Sequence, residues 1–227
     1  MYFIEKFFNT LSLYHHERIF KYLKKLNIKI LIDVGAHKGE FLNSVIKLKT
    51  VDNFYAFEPQ KVIYNHLKTK FSDKKNVILY NKAVDSEVSK KKIFINNFSM
   101  TSTMSKFNED SFYLKFKNFL LGAKKNFIEE YNVETTTIDT IFENIDLRNS
   151  MLKIDVEGFE YNVVKGAEQK LSEISMVLIE NQFGNHYINS KFSDIKKFLL
   201  TKNFIETKKF VFPTLHYQDI LFRKKAN

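Results

Sequence analysis

The chain has 227 residues, with 36 Lys or Arg against 26 Asp or Glu for a formal net charge of +10, and it contains no cysteine. The length suits one well-filled core, and the missing thiols exclude disulfides, zinc-thiolate sites and cysteine nucleophiles. No run of about eighteen uninterrupted apolar residues occurs. Residues 1–26 are broken by Glu5, Lys6, His15, His16 and Glu17, which does not suit a signal peptide, so a soluble cytoplasmic protein is expected. The basic excess allows a nucleic-acid, anionic-substrate or membrane-surface partner. Its lysines are scattered as pairs and triplets such as Lys24-Lys25, Lys74-Lys75 and Lys90 to Lys92, which weighs against nucleic acid and reads as solvated faces.

Residues 2–26 place apolar side chains at approximately helical spacing (Ile4, Phe7, Phe8, Leu11, Tyr14, Ile19, Leu23, Leu26) and read as a helical prefix or lid on the domain. Peripheral contact with a membrane surface is the sharper alternative. Lys29 to Gly39 comes next: Ile30, Leu31 and Ile32 look like a doubly buried strand, ending abruptly in Asp33, Gly35 and Gly39. From Glu40 the spacing turns helical through Phe41, Leu42, Val45, Ile46 and Leu48. Strand, glycine turn and helix open a Rossmann-like nucleotide site. A second strand, Phe54 to Phe57, ends in Glu58-Pro59, and an acid at that tip is where such folds grip ribose hydroxyls.

Val62 to Phe71 reads as a helix and Asn76 to Tyr80 as a third strand, leading into Asn81-Lys82-Ala83-Val84-Asp85. Residues 86–133 interrupt the alternation with a lysine run, a strand at Ile93 to Ile95, the polar patch Ser99 to Met104, and an aromatic helix around Phe112, Phe116, Phe119 and Leu120. An insertion of that length reads as a substrate lid, and its aromatic density suits sugar stacking or a homodimer contact. Regularity returns at Thr135 to Ile141, followed by a strand Met151 to Ile154, a helix Glu160 to Leu171, a strand Ile174 to Glu180 and a helix Phe192 to Leu200. A final pair, Phe204 to Phe212 and His216 to Phe222, turns through Pro213. The fold expected is α/β: a Rossmann-like, seven-stranded, mostly parallel sheet with an antiparallel last strand and helices on both faces. Residues 1–227 form one domain in this reading, with 1–28 as prefix and 86–133 as insertion.

Charge decides the ligand. A pyrophosphate prefers a bare helix N-terminus, whereas this loop has Asp33 before it and Glu40 on the first helical turn. S-adenosylmethionine carries a sulfonium and an ammonium and no phosphate, so the loop suits it better than NAD. Asp33, Gly35, Ala36, His37, Gly39, Glu58, Ala83, Val84, Asp85 and Asp155 are the expected cofactor contacts. Asp33, Glu58, Asp85 and Asp155 should converge at the carboxyl ends of the strands, where open α/β sheets bind ligands.

The ordered motifs Ile32-Asp33-Val34-Gly35-Ala36-His37-Lys38-Gly39-Glu40-Phe41, Ala56-Phe57-Glu58-Pro59, Asn81-Lys82-Ala83-Val84, Thr137-Ile138-Asp139, Leu152 to Glu160 and Val164-Lys165-Gly166-Ala167 closely resemble the FkbM-type S-adenosylmethionine-dependent methyltransferases. The resemblance covers roughly residues 29–181, with Asp219 to Phe222 echoing the last strand. It implies O-methylation of a sugar, glycan precursor or similar small hydroxylated acceptor. His37 stands where that family commonly has asparagine.

An in-line transfer needs alignment, exclusion of water and a base for the acceptor proton. Asp155 and Glu157 are the candidates, one near the cofactor and one taking the proton; Asp155 positioning cofactor while Glu157 caps a helix is the bland alternative. His186 is a third candidate base. Asp155 with Glu180-Asn181 could instead gather oxygen ligands for Mg²⁺, an arrangement similar to that of catechol-type enzymes. An RNA ribose methyltransferase, or a non-enzymatic basic scaffold or membrane-surface module, are the rival readings. No Asn/Asp-Pro-Pro-Tyr/Phe motif for exocyclic amines is present.

Overall fold

The computed structural model describes residues 2–96, 104, 127–183, 192–214 and 217–225. In chain order the elements are α1 (Tyr2–Leu23), β1 (Ile30–Val34), α2 (Glu40–Val45), β2 (Asn53–Phe57), α3 (Lys61–Lys70), β3 (Val77–Tyr80), β4 (Ala83–Val84), β5 (Lys90–Asn96), β6 (Phe127–Thr136), α4 (Ile138–Ile141), β7 (Ser150–Ile154), α5 (Glu160–Lys165), β8 (Met176–Gln182), α6 (Phe192–Thr201), β9 (Phe204–Val211) and β10 (Tyr217–Lys224). Among the described residues seven strands form one sheet in the order β3-β2-β1-β7-β8-β10-β9. Neighbours from β3 to β8 pair in parallel, and β10 runs antiparallel to both β8 and β9.

Side chains alternate across the sheet, and each face has its own helices. Ile32, Leu152, Ile154, Val177, Ile179 and Phe222 pack with Phe142 and with Val163, Val164, Ile195 and Leu199 of α5 and α6. Leu31, Phe54, Ala56, Met151, Leu178 and Leu221 pack with Ile19 and Leu23 of α1 and with Phe41, Leu42, Val45 and Leu67 of α2 and α3. That second parity continues through Asp33, Glu58, Lys153, Glu180 and Asp219. The polar residues at the sheet's carboxyl edge therefore lie on the face that α1 and α2 cover.

Two expected segments divide where the chain offers competing hydrogen bonds. The helix expected over Glu160 to Leu171 stops at Lys165, with Gly166 as its C-cap, and a short 3₁₀ turn follows at Lys170–Ser172. Asp139 causes the break, since its carboxylate accepts from the backbone N–H of Gln169 (3.1 Å) and Lys170 (2.9 Å) and so starts a new turn. Thr135 to Ile141 is part strand and part helix, because Thr137 caps α4 by accepting from the Thr140 N–H at 2.9 Å. The ends of the 86–133 insertion form an antiparallel pair, β5 with β6, joined by β4 into a three-stranded sheet. Its aromatic segment around Phe112 to Leu120, and most of the Ser99 to Met104 patch, lie outside the described residues.

Candidate active site at the carboxyl edge of the sheet

The glycine loop is held by backbone contacts. Gly35 and Ala36 both donate to the Phe57 carbonyl, at 3.1 and 3.0 Å, which ties the end of β1 to the end of β2. Gly35 has φ +83°, and a Cβ there would stand 1.8 Å from the Asp155 carbonyl oxygen, so only glycine lets β7 close against the loop. At Gly39, φ +73°, a Cβ would press on Phe71 and Leu67, at 2.7 and 2.9 Å. His37 also takes positive φ, +46°. Its N–H donates to Glu58 Oε2 at 3.0 Å and its Nδ1 lies 3.1 Å from Glu40 Oε1.

Glu58 closes the loop from below, its other oxygen accepting from the Gln60 N–H at 2.8 Å. Burial pushes its carboxyl pKa up to about 7 against the pull of those bonds. Asp33 is fully buried, and neither of its oxygens accepts a directional hydrogen bond among the described residues. Its cationic neighbour is Lys153, whose Nζ sits 3.1 Å from Asp33 Oδ1 and 3.2 Å from Asp155 Oδ2. Desolvation raises the Asp33 pKa and Lys153 opposes it. Lys153, itself buried, is held charged because Asp155 and Asp33 outweigh its desolvation.

Beyond this lysine the site is acidic. Carboxylate oxygens of Asp155, Glu157 and Glu180 all lie within 4.8 Å of one another. The Gln182 amide donates to Glu157 Oε2 and, at 3.2 Å, to Glu180 Oε1. Burial, then Asp155, Glu157 and Asp219, push the Glu180 pKa well above the usual carboxylate range. Burial and then Glu180 and Asp219 likewise raise that of Tyr217. The three carboxylates could hold a divalent cation, with Glu157 supplying the third ligand where the sequence suggested Asn181.

Helix α1 reaches the same edge. His15 is fully buried, its Nε2 lies 2.7 Å from Asp219 Oδ2, and its ring rests against Phe212 and Tyr217. Arg18 donates to the Val211 carbonyl at 2.9 Å.

The structure thus brings Asp33, Gly35, Ala36, His37, Gly39, Glu58, Asp155 and Glu157 together at one edge. Asn81 ties the next segment to them, donating to the Glu58 and Pro59 carbonyls at 2.9 Å each. Ala83 and Val84 are buried in the cores. The Asp85 carboxylate is engaged elsewhere: it accepts from the Ser86 N–H (2.6 Å) and from Asn162 of α5 (3.1 Å), with Lys91 Nζ at 2.6 Å. His186 lies outside the described residues. Sequence reasoning assigned no role to Lys153, His15, His16 or Asp219. Lys153 carried a usable signal, a lysine flanked by Leu152 and Ile154 inside a buried strand.

The fit to S-adenosylmethionine rests on three observations: a tight glycine loop closed against β7 at Gly35, a buried acid at the β2 tip, and a buried Asp33 carboxylate whose Oδ2 has no hydrogen-bond partner among the described residues. Together with the strand order they define a Rossmann-like methyltransferase fold. The sequence matches the methyltransferase FkbM domain over residues 33–206, more than half of its length, so the chain belongs to that family. The matched region is that family's methyltransferase domain.

Solved structures agree on the fold. Methyltransferase FkbM from Methylobacillus flagellatus KT superposes with a TM-score of 0.57 at 15% identity, covering 87% of this chain and 44% of that one. This chain therefore spans less than half the length of that relative. Aeropyrum pernix fibrillarin, solved with bound S-adenosyl-L-methionine, gives 0.50 at 9% identity over 87% of this chain and 66% of that one. M. capricolum TrmK, solved with S-adenosyl-homocysteine, gives 0.51 at 8% identity over 91% and 68%. At these identities the likeness concerns the fold alone. No curated protein matches the sequence.

Proposed function

We propose that the protein transfers a methyl group from S-adenosylmethionine to a hydroxyl of a sugar, glycan precursor or similar small molecule. The observation that carries this reading is the Asp155, Glu157 and Glu180 carboxylate group, gathered within 4.8 Å where β7 and β8 end beside the glycine loop. The cofactor, when bound, supplies an electrophilic methyl on a sulfonium that is already a good leaving group. The protein's work is to align, desolvate and deprotonate. Asp155, paired with Lys153 at 3.2 Å, orients the acceptor hydroxyl. Glu157 takes its proton as the carbon–oxygen bond forms and the carbon–sulfur bond breaks. The reaction is carried by a single cytoplasmic domain in this reading.

The same acids favour a small acceptor over RNA. A phosphate backbone would meet like charge at these carboxylates, although the whole chain is at +10. Many described lysines are spent in surface pairs, as Lys92 with Glu130 and Lys202 with Glu168. The test is methyl transfer from labelled S-adenosylmethionine to panels of neutral sugars, nucleotide sugars and RNA, each with Mg²⁺ and with a chelator. Label in a sugar fraction, abolished in Asp155→Ala and reduced about 10²- to 10⁴-fold in Glu157→Gln, is the expected result. Label confined to RNA would replace this reading with ribose methylation. Loss of transfer in chelator would assign a metal to the three carboxylates.

A further inference from the structure

Helix α1 lies outside the family match, which begins at residue 33, yet it delivers a second histidine to the cofactor side of the site. His16 Nδ1 is buried and has no hydrogen-bond partner among the described residues. Its ring stands edge-on to Phe41, with centroids 5.7 Å apart, and Lys153 Nζ lies 5.3 Å from the centroid of that same Phe41 ring. Lys153 in turn sits 3.1 Å from Asp33 Oδ1, and the buried Asp33 Oδ2 has no hydrogen-bond partner among the described residues. His16 and Lys153 thus meet at one aromatic ring on the first turn of α2, and Asp33 pairs with that lysine. Buried polar atoms in native folds are nearly always paired, so the unmet His16 nitrogen beside this ring and lysine marks where a ligand's polar atom belongs.

We propose that His16 binds the cofactor, hydrogen-bonding the α-carboxylate of the amino-acid end of S-adenosylmethionine while Asp33 faces its ammonium. The inference rests on the cofactor assignment above and adds to it a residue from the prefix helix. Chemistry fixes the division of labour: an ionised Asp33 only accepts, whereas a neutral imidazole offers one N–H to a carboxylate. Burial, reinforced by Lys153 and opposed by Asp219, lowers the His16 pKa to about 4, so the ring is neutral at physiological pH. The contacts of His15 with Asp219 and of Arg18 with Val211 hold α1 in place for this role.

The test is calorimetric titration of the full-length protein with S-adenosylmethionine and, separately, with 5′-methylthioadenosine, which lacks the amino-acid end. His16→Ala should weaken S-adenosylmethionine by about ten- to a hundredfold and leave 5′-methylthioadenosine within about twofold. His16→Asn, whose amide sits near the position of Nδ1, should recover most of the loss, and it carries the test if the alanine variant does not fold. Unchanged S-adenosylmethionine affinity in His16→Ala overturns the proposal, as does an equal loss for both ligands, which would make the residue purely structural. A wild-type protein binding neither ligand would sink the cofactor assignment itself. A wild type that binds both, and loses both in Glu58→Ala, would uphold that assignment whatever His16 does.

Discussion

Lys153 is the residue on which the site's electrostatics turn. It stands buried between Asp33 and Asp155, at 3.1 and 3.2 Å, and joins the end of β1 to the end of β7. Removing one partner of a buried ionic group strands the others. Lys153→Met should cost about 3–5 kcal/mol in urea denaturation at pH 7 and weaken S-adenosylmethionine as well. Glu160 gives a signed pH prediction. Its buried carboxyl, which accepts from the Gly158 N–H at 2.8 Å, has its pKa raised by burial from 4.5 to about 7. Because the folded pKa is the higher one, the stability this group contributes is full below the unfolded value and is lost as pH rises through about 7. Glu160→Gln should therefore gain on wild type by up to about 3 kcal/mol between pH 5 and pH 8, read from denaturation midpoints at the two pH values. His16 has the opposite sign, since its folded pKa lies near 4 and its stabilising neutrality is lost as pH falls from 6.5 through that value.

At the scale of elements, two glycines make a controlled comparison. A Cβ at Gly35 or at Gly166 would stand 1.8 Å from a backbone oxygen, of Asp155 in the first case and of Asp85 in the second. Gly35→Ala should abolish cofactor binding in calorimetry, because it separates β1 from β7 at the loop. Gly166→Ala should lower thermal stability through the contact between α5 and Asp85 and reach the cofactor loop only indirectly. The alternating elements were legible in the sequence because strand runs such as Ile30 to Ile32 and stripes such as Phe41, Leu42 and Val45 have one reading each. The break after Lys165 was not, since it depends on Asp139 capturing two amides some thirty residues away. The site divides in the same way. Asp33, Glu58 and Asp155 announce themselves as acids at strand ends, whereas the engagement of Asp85 by Lys91 and Asn162, and the seating of His15 on Asp219, are products of tertiary packing.

Across the whole molecule, net charge and site charge have opposite signs. The chain is at +10 overall, while the edge that carries Asp33, Asp155, Glu157, Glu180 and Asp219 has Lys153 as its buried counterion. The lysines lie largely in scattered surface pairs, whereas the carboxylates gather at one edge of the sheet. Among the described residues no helix is long and apolar enough to cross a membrane. Helix α1 joins the two halves of the sheet's edge, touching Phe41 through His16 and Asp219 through His15, so cofactor binding and the prefix should be coupled.

Calorimetric titration of the wild type and of Glu58→Ala with S-adenosylmethionine, with NAD as the control nucleotide, tests the cofactor site directly. Saturable binding of S-adenosylmethionine alone, lost in the variant, is the expected result, since Glu58 is the buried acid at the tip of β2. Binding of NAD in preference, or undiminished S-adenosylmethionine binding by Glu58→Ala, would contradict it.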